Sequence, residues 1–275
     1  MKKIVAAFDG LRFAPATRDY AIALARQTGM YLVGLFMEDI LYHQIPGHDA
    51  GTLTAARDPQ QDERLRHISV LNFEANCIRE SVAYSIHRAR DMNFEQVIRE
   101  SVYADLLLIS GRETLSGKAE KIPSRFIKDL LMRSQCPVLV LPEKYTAIEK
   151  VILLYDGEPS SVYAIRQFGN LLSQLAILPV DLVSAADGVT MLRSREEKLM
   201  MKLLSRHFPE ANRCILNGTP RKVIPAYLAD QPAGSVVVMG AYGRGRGTLS
   251  RAFKRSLADI LMARSRFPLF IAHNP

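Results

Sequence analysis

No stretch of the sequence reaches the roughly 18 consecutive apolar residues of a membrane span, so no transmembrane helix is expected. The apolar opening, Ile4 to Phe8, resembles a signal peptide only briefly. Asp9 interrupts it, which points to a β-strand and a cytoplasmic protein. Cysteine is scarce. Cys77, Cys136 and Cys214 are widely spaced and odd in number, which argues against a disulfide framework and a paired-cysteine metal site. His43, His48, His67 and His87, even with Asp49 or Cys77, lack ligand spacing on one element, so no metal site is expected. Acids are few between Arg244 and Arg266, where seven Lys or Arg stand against Asp259 alone. Such a stretch suits a polyanion or nucleotide phosphates, or is a solvated helix face. It has too few aromatic residues for a nucleic-acid stacking platform.

Catalytic motifs are missing as well. There is no Walker lysine motif and no positioned base, so an enzyme is not expected, beyond slow ATP hydrolysis at most. Phe8-Asp9 is not an acidic pair, which sets aside a receiver domain.

What the chain does have is size and an internal repeat. Its 275 residues suffice for two ordinary cores, and 48% hydrophobic with 23% charged residues is a globular composition. The net charge of +8 makes it basic. Val151-Ile-Leu-Leu-Tyr-Asp156-Gly157 repeats Ile4-Val-Ala-Ala-Phe-Asp9-Gly10, and Cys136-Pro137-Val-Leu-Val mirrors Phe267-Pro268-Leu-Phe-Ile. Between these ends, apolar strand-like runs alternate with helical periodicity. Gly29 sits where a helix C-cap belongs, and Ser160 and Ser161 are N-cap candidates. A long polar loop is expected over 43–62. A helix from about Glu63 to Glu80 should follow, with Leu65, Ile68, Leu71, Ala75 and Ile78 inward. Repeated βα units of this kind predict two doubly wound open parallel sheets. The expected domains are 1–142 and 150–275, with a linker at Pro142–Glu149. Pairing the apolar final strands across a pseudo-two-fold axis would hide two aggregation-prone edges. One chain would then mimic a two-domain dimer, with homodimerisation as a further step.

Ligands of such sheets sit at strand carboxyl ends. Asp9, Asp156 and the turn Gly240-Ala-Tyr-Gly243-Arg-Gly-Arg-Gly247 all fall there. A strand, a glycine turn and a helix together cradle a phosphate. The plainer reading is that the acids cap local turns and the glycines only permit a tight one.

In combination, the paired Asp-Gly openings, Gly218-Thr219-Pro220, Val237-Val-Met-Gly-Ala-Tyr-Gly243 and the matched endings resemble a tandem universal stress protein along both halves. That resemblance implies five-stranded, Rossmann-like sheets of the adenine-nucleotide α-hydrolase type. It also implies a stress-response, regulatory role and, in nucleotide-binding members, a Gly-x2-Gly-x9-Gly-Ser/Thr phosphate motif. The hydrolase-type enzymes themselves would need a Ser-Gly-Gly-x-Asp-Ser loop after the first strand, which is missing. By the resemblance, Asp156 and Val183 would face the adenosine of ATP or another adenine nucleotide. Gly240, Gly243 and Ser256 would hold phosphates, with Arg244 and Arg255 adding charge and Mg²⁺ accompanying. The pattern departs in that Arg255 replaces the third glycine and the spacer has 11 residues. The first repeat departs further, with Ser110 and Glu113 at the first two glycine positions, and is expected not to bind nucleotide. The alternative is a nucleotide-free interaction module of the same fold with an unknown protein partner.

Overall fold

The computed structural model describes residues 1–37, 58–87, 94–115, 120–186, 194–241, 249–264 and 266–273. Contacts divide the chain into two units, Met1–Cys136 and Pro137–Pro275. Among the described residues, no helix is long and apolar enough to cross a membrane.

The first unit runs β1 (Lys3–Asp9), α1 (Pro15–Thr28), β2 (Tyr31–Met37), α2 (Pro59–Arg79), β3 (Tyr84–His87), α3 (Phe94–Val102), β4 (Leu106–Ser110) and α4 (Arg125–Arg133). Its strands lie in the order β3-β2-β1-β4, and each neighbouring pair is parallel. β1 is central, with Ile4 opposite both Leu32 and Leu106. Helices cover both faces, so β1 and β4 are apolar without alternation and wholly buried over Ile4–Asp9 and Leu106–Ser110. The chain moves outward through β2 and β3, then returns to the other side of β1 for β4. That reversal opens a crevice beyond the carboxyl ends of β1 and β4.

The second unit runs β5 (Val138–Leu141), β6 (Lys150–Leu154), α5 (Pro159–Leu171), a 3₁₀ turn (Ser173–Ile177), β7 (Val180–Ala186), α6 (Ser194–His207), β8 (Asn212–Asn217), α7 (Pro220–Ala229), β9 (Ser235–Gly240), α8 (Leu249–Arg264) and β10 (Leu269–Ala272). Its strand order is β5-β10-β9-β6-β7-β8. The pairs from β10 to β8 are parallel. β5 is antiparallel to β10, with Leu139 opposite Phe270. The two apolar strands that end the repeats therefore hydrogen-bond to each other. For that reason β5 groups with the second unit, and the division falls before Pro137 rather than at the expected 142–149 linker.

Both units have the α/β architecture with parallel strands that the repeat implies. Local expectations fare unevenly. Gly29 caps α1 as read, at φ 68°, with its N–H donating to Ala25 O at 2.8 Å. α2 starts at Pro59, four residues before the expected Glu63, because Asp58 is an N-cap whose side chain accepts from Gln60 N at 2.9 Å and Pro59 fits the first turn. The expected 43–62 loop is helical over 59–62, and its residues 43–57 lie outside the described residues.

The face of α2 is the main correction. Leu65, Ile68, Leu71 and Ile78 point outward, 39–66% exposed. The buried face is Ser69, Val70, Phe73, Asn76 and Cys77. Phe73 decides this: its ring packs onto β2 at Gly34, where a Cβ would stand 2.8 Å from it. The two polar residues on that face are hydrogen-bonded. Ser69 Oγ donates to Gly10 O or Leu65 O, and Asn76 Nδ2 donates to Asn72 O at 2.7 Å. Ser160 and Ser161 likewise do not cap α5. Its N-cap is Glu158, and Ser161 Oγ donates back to Glu158 O at 2.8 Å.

Candidate functional site

In the second unit the crevice at the strand carboxyl ends is a pocket. β6 contributes Leu154, followed by Tyr155 and Asp156; β7 contributes Val183 and Ala185; β9 contributes Met239 and Gly240. Ser161 from the first turn of α5, Pro220 from the first turn of α7, Ile224 and Leu257 complete the lining. The cavity holds about 60 Å³ and opens to solvent. Two helix N-termini thus open onto one cavity whose floor is apolar. N-terminal N–H groups favour an anion, and the floor favours a flat apolar body.

Three sequence-predicted residues, separated by up to 84 positions, meet here: Asp156, Val183 and Gly240. Val183 is fully buried, and its carbonyl accepts from Tyr155 N at 2.9 Å. Asp156 is exposed, and its Oδ1 accepts from Glu158 N at 3.0 Å, so it holds the turn into α5. Gly240 is required by packing. A Cβ on it would lie 2.3 Å from Ser160 O and 2.7 Å from Ser161 N, so only glycine lets β9 end against the start of α5. Gly243 and Arg244 lie outside the described residues. Arg255 and Ser256 are helical positions of α8, directly before the pocket residue Leu257. Pro220 was present in the sequence as the Gly218-Thr219-Pro220 turn, and Gly218 sits at φ 126°, which a side chain would strain. Ala185 and Ile224 carried no local signal.

The corresponding strand ends of the first unit are built differently. Three extra residues, Leu11-Arg12-Phe13, stand between the Asp-Gly pair and the helix. Asp9 is buried, its Oδ1 accepting from Leu11 N at 2.8 Å and its Oδ2 from Arg12 Nε at 2.8 Å, with Arg12 NH2 at 2.7 Å. The Phe13 ring stacks on Phe8 at 5.0 Å, and Phe8 stacks on Phe36 at 5.2 Å. By strand register, Leu35 and Met37 stand where the second unit has Val183 and Ala185, and both are buried. Cation and ring are thus supplied by the chain itself.

Glu113 adds a buried carboxyl. Its Oε1 accepts from Thr114 N and Leu115 N, both at 2.9 Å, and Leu115 takes φ 54° to permit this. Ser124, the N-cap of α4, donates to Glu113 O at 2.5 Å. Burial, reinforced by the nearby Asp9 charge, pushes the Glu113 carboxyl up to about 7 against the pull of those N–H groups and Arg12. Glu113, expected to oppose phosphate, is thus a buried acid beside Asp9, tied to the backbone N–H groups of its own turn.

The remaining candidates scatter. His67 is exposed, whereas His87 Nδ1 lies 3.0 Å from Glu100 Oε1. Among the described residues no group of three or more His, Cys, Asp or Glu is placed to hold a metal ion. Burial pushes the thiols of Cys77 and Cys136 up to about 12, so both act as small apolar groups.

No protein-family model matches the sequence, and no curated protein matches it. Solved structures do. A universal stress protein of Archaeoglobus fulgidus aligns over 99% of this chain and 98% of its own at 14% identity and a TM-score of 0.70. A protein of Pseudomonas aeruginosa described as a universal stress protein aligns over 99% and 93%, at 14% and 0.62. The cytoplasmic domain of a prokaryotic cation chloride cotransporter aligns over 98% and 94%, at 11% and 0.50. At such identities the likeness is one of fold. Over nearly its whole length the chain is similar in fold to universal stress proteins, the family its motifs resemble.

Proposed function

We propose that this is a cytoplasmic stress-response protein that binds ATP or another adenine nucleotide in its second unit and acts as a regulatory binding protein rather than an enzyme. The observation that carries this reading is the convergence of Asp156, Val183 and Gly240 on one pocket faced by the N-termini of α5 and α7. The adenosine would lie toward Asp156 and Val183. The phosphates, with Mg²⁺, would lie toward Gly240, Gly243 and Ser256, with Arg244 and Arg255 supplying positive charge. The first unit, with Arg12, Phe13 and Glu113 in place, would take no nucleotide.

The test is calorimetric titration of the full chain with ATP and Mg²⁺, beside Asp156→Ala and Ser256→Ala. The expected result is one saturable site that both substitutions weaken. A second reading, a nucleotide-free interaction module, is favoured by one observation: Arg255 stands at the third glycine position, after a spacer of 11 residues. No heat and no thermal shift at millimolar ATP would leave that second reading standing.

A further inference from the structure

α2 is apolar on two faces, and the first unit uses only one of them. Phe73, Val70 and Cys77 are buried against the sheet, yet Ile68 is 60% exposed, Leu71 49% and Ile78 66%. Ala75, between them, is exposed too. Ile68, Leu71, Ala75 and Ile78 recur at three, four and three residues. That is the a/d spacing of a coiled-coil seam, and it is narrower than the stripe a helix turns toward a sheet. Ile68 at a with Leu71 at d suits two parallel strands, although the second heptad, Ala75 with Ile78, does not repeat that pairing.

The flanks say what fits the seam. Taking Ile68 as a, the g position is Glu74 and the following e position is Arg79. In a parallel pair, g of one helix meets the e five residues on in the other. Glu74 would then face Arg79 on both sides of a two-fold axis. An antiparallel pair would instead bring g to g and e to e, placing the Gln60, His67 and Glu74 flank against itself and leaving Arg79 without Glu74. Arg79 is accessible for the exchange: its side chain is 68% exposed, and its Nε donates to Glu80, a sequence neighbour, at 3.2 Å. The helix is long enough, and it is anchored at both ends by Asp58 and by the Arg26–Glu80 ion pair at 2.5 Å.

We infer that the outward face of α2 is a self-association surface. It pairs in parallel with α2 of a second copy of this chain, with Ile68, Leu71, Ala75 and Ile78 as the seam and Glu74 of each copy against Arg79 of the other. The partner is identified by the charge pattern, which complements itself only in this orientation. With a seam of two heptads the contact is small, so the dimer is a concentration-dependent one.

The experiment is sedimentation equilibrium of the full chain across the micromolar range, with thermal unfolding of each variant. The wild type is expected to dimerise. Ile68→Glu with Leu71→Glu should abolish the dimer and leave in place the thermal midpoint measured at dilutions where the wild type is monomeric, since both side chains are already exposed. Glu74→Arg alone and Arg79→Glu alone should each weaken association about tenfold, and the two together should restore it. A chain that stays monomeric throughout, or a dimer indifferent to the Ile68 and Leu71 changes, overturns the inference. Failure of the paired charge reversal to restore association overturns the parallel seam, and points to another occupant for this face.

Discussion

Gly240 and Ser160 stand so close that a methyl group on the Gly240 α-carbon would lie 2.3 Å from the Ser160 carbonyl oxygen and 2.4 Å from its carbon. The atoms it would strike are backbone at the start of α5, which cannot swing aside as a flexible side chain can. Gly240→Ala is therefore expected to destabilise the second unit by about 3 kcal/mol, the upper range of overpacking. Gly29→Ala is the control. Nothing lies within 4 Å of a Cβ there, but φ is 68°, so the cost should be only the left-handed backbone penalty of about 1 kcal/mol. Denaturant unfolding of both variants beside the wild type checks the ordering.

Glu113 makes the first unit sensitive to pH in the direction opposite to an ordinary carboxylate. Its folded-state value is raised to about 7, whereas in the unfolded chain it titrates near 4.3. The folded state therefore holds the proton more tightly. The associated stability is fully present below about pH 4.3 and is lost as pH rises through about 7. On the order of 4 kcal/mol separates the two limits at 1.36 kcal/mol per unit. Denaturation of wild type and Glu113→Gln at pH 5 and pH 8 should show the wild type losing ground at pH 8 relative to the variant. An equal response in both would remove Glu113 as the cause.

At the opposite ends of the second unit's strands, Asp181 gathers three partners. Lys150 Nζ lies 2.6 Å from its Oδ2, Tyr227 OH donates to the same oxygen at 2.6 Å, and Asn212 Nδ2 reaches Oδ1 at 3.4 Å. Burial works to raise this carboxyl, but the hydrogen bonds from Lys150 and Tyr227 overcome it and hold it below its ordinary value. Its contribution is thus present above the usual aspartate range and lost as pH falls through the lowered value. Asp181→Ala leaves Lys150 and Tyr227 without their shared acceptor and should cost about 3 kcal/mol. Tyr227→Phe should cost about 1.5 kcal/mol, the worth of one hydrogen bond to a charged group. A Tyr227→Phe loss equal to that of Asp181→Ala would mean that Lys150 adds nothing.

The fold was legible in the sequence because the two repeats state it twice. The Asp-Gly openings and the Pro-led final strands fix the ends of each repeat, and buried parallel strands such as Val236–Met239 read as unbroken apolar runs. Of the three residues that the pocket brings together, Asp156 and Gly240 were readable from position at strand ends, and Val183 came only from the family resemblance. Arg12 and Phe13 were not, since a three-residue difference between repeats is invisible until both helices are placed. The face of α2 failed for a physical reason. Its two apolar stripes compete, the more hydrophobic one faces out, and the inward choice was made by the space above Gly34. Ser69 and Asn76 disguised that inward face as polar.

The insertion that carries Arg12 and Phe13 gives the proposed function a consequence under heating. A protein that binds a solute only when folded gains stability as the solute accumulates, by mass action. Under that proposal the melting temperature of the second unit would follow the concentration of the nucleotide filling its pocket, and that of the first unit, whose charge and ring are covalently its own, would not.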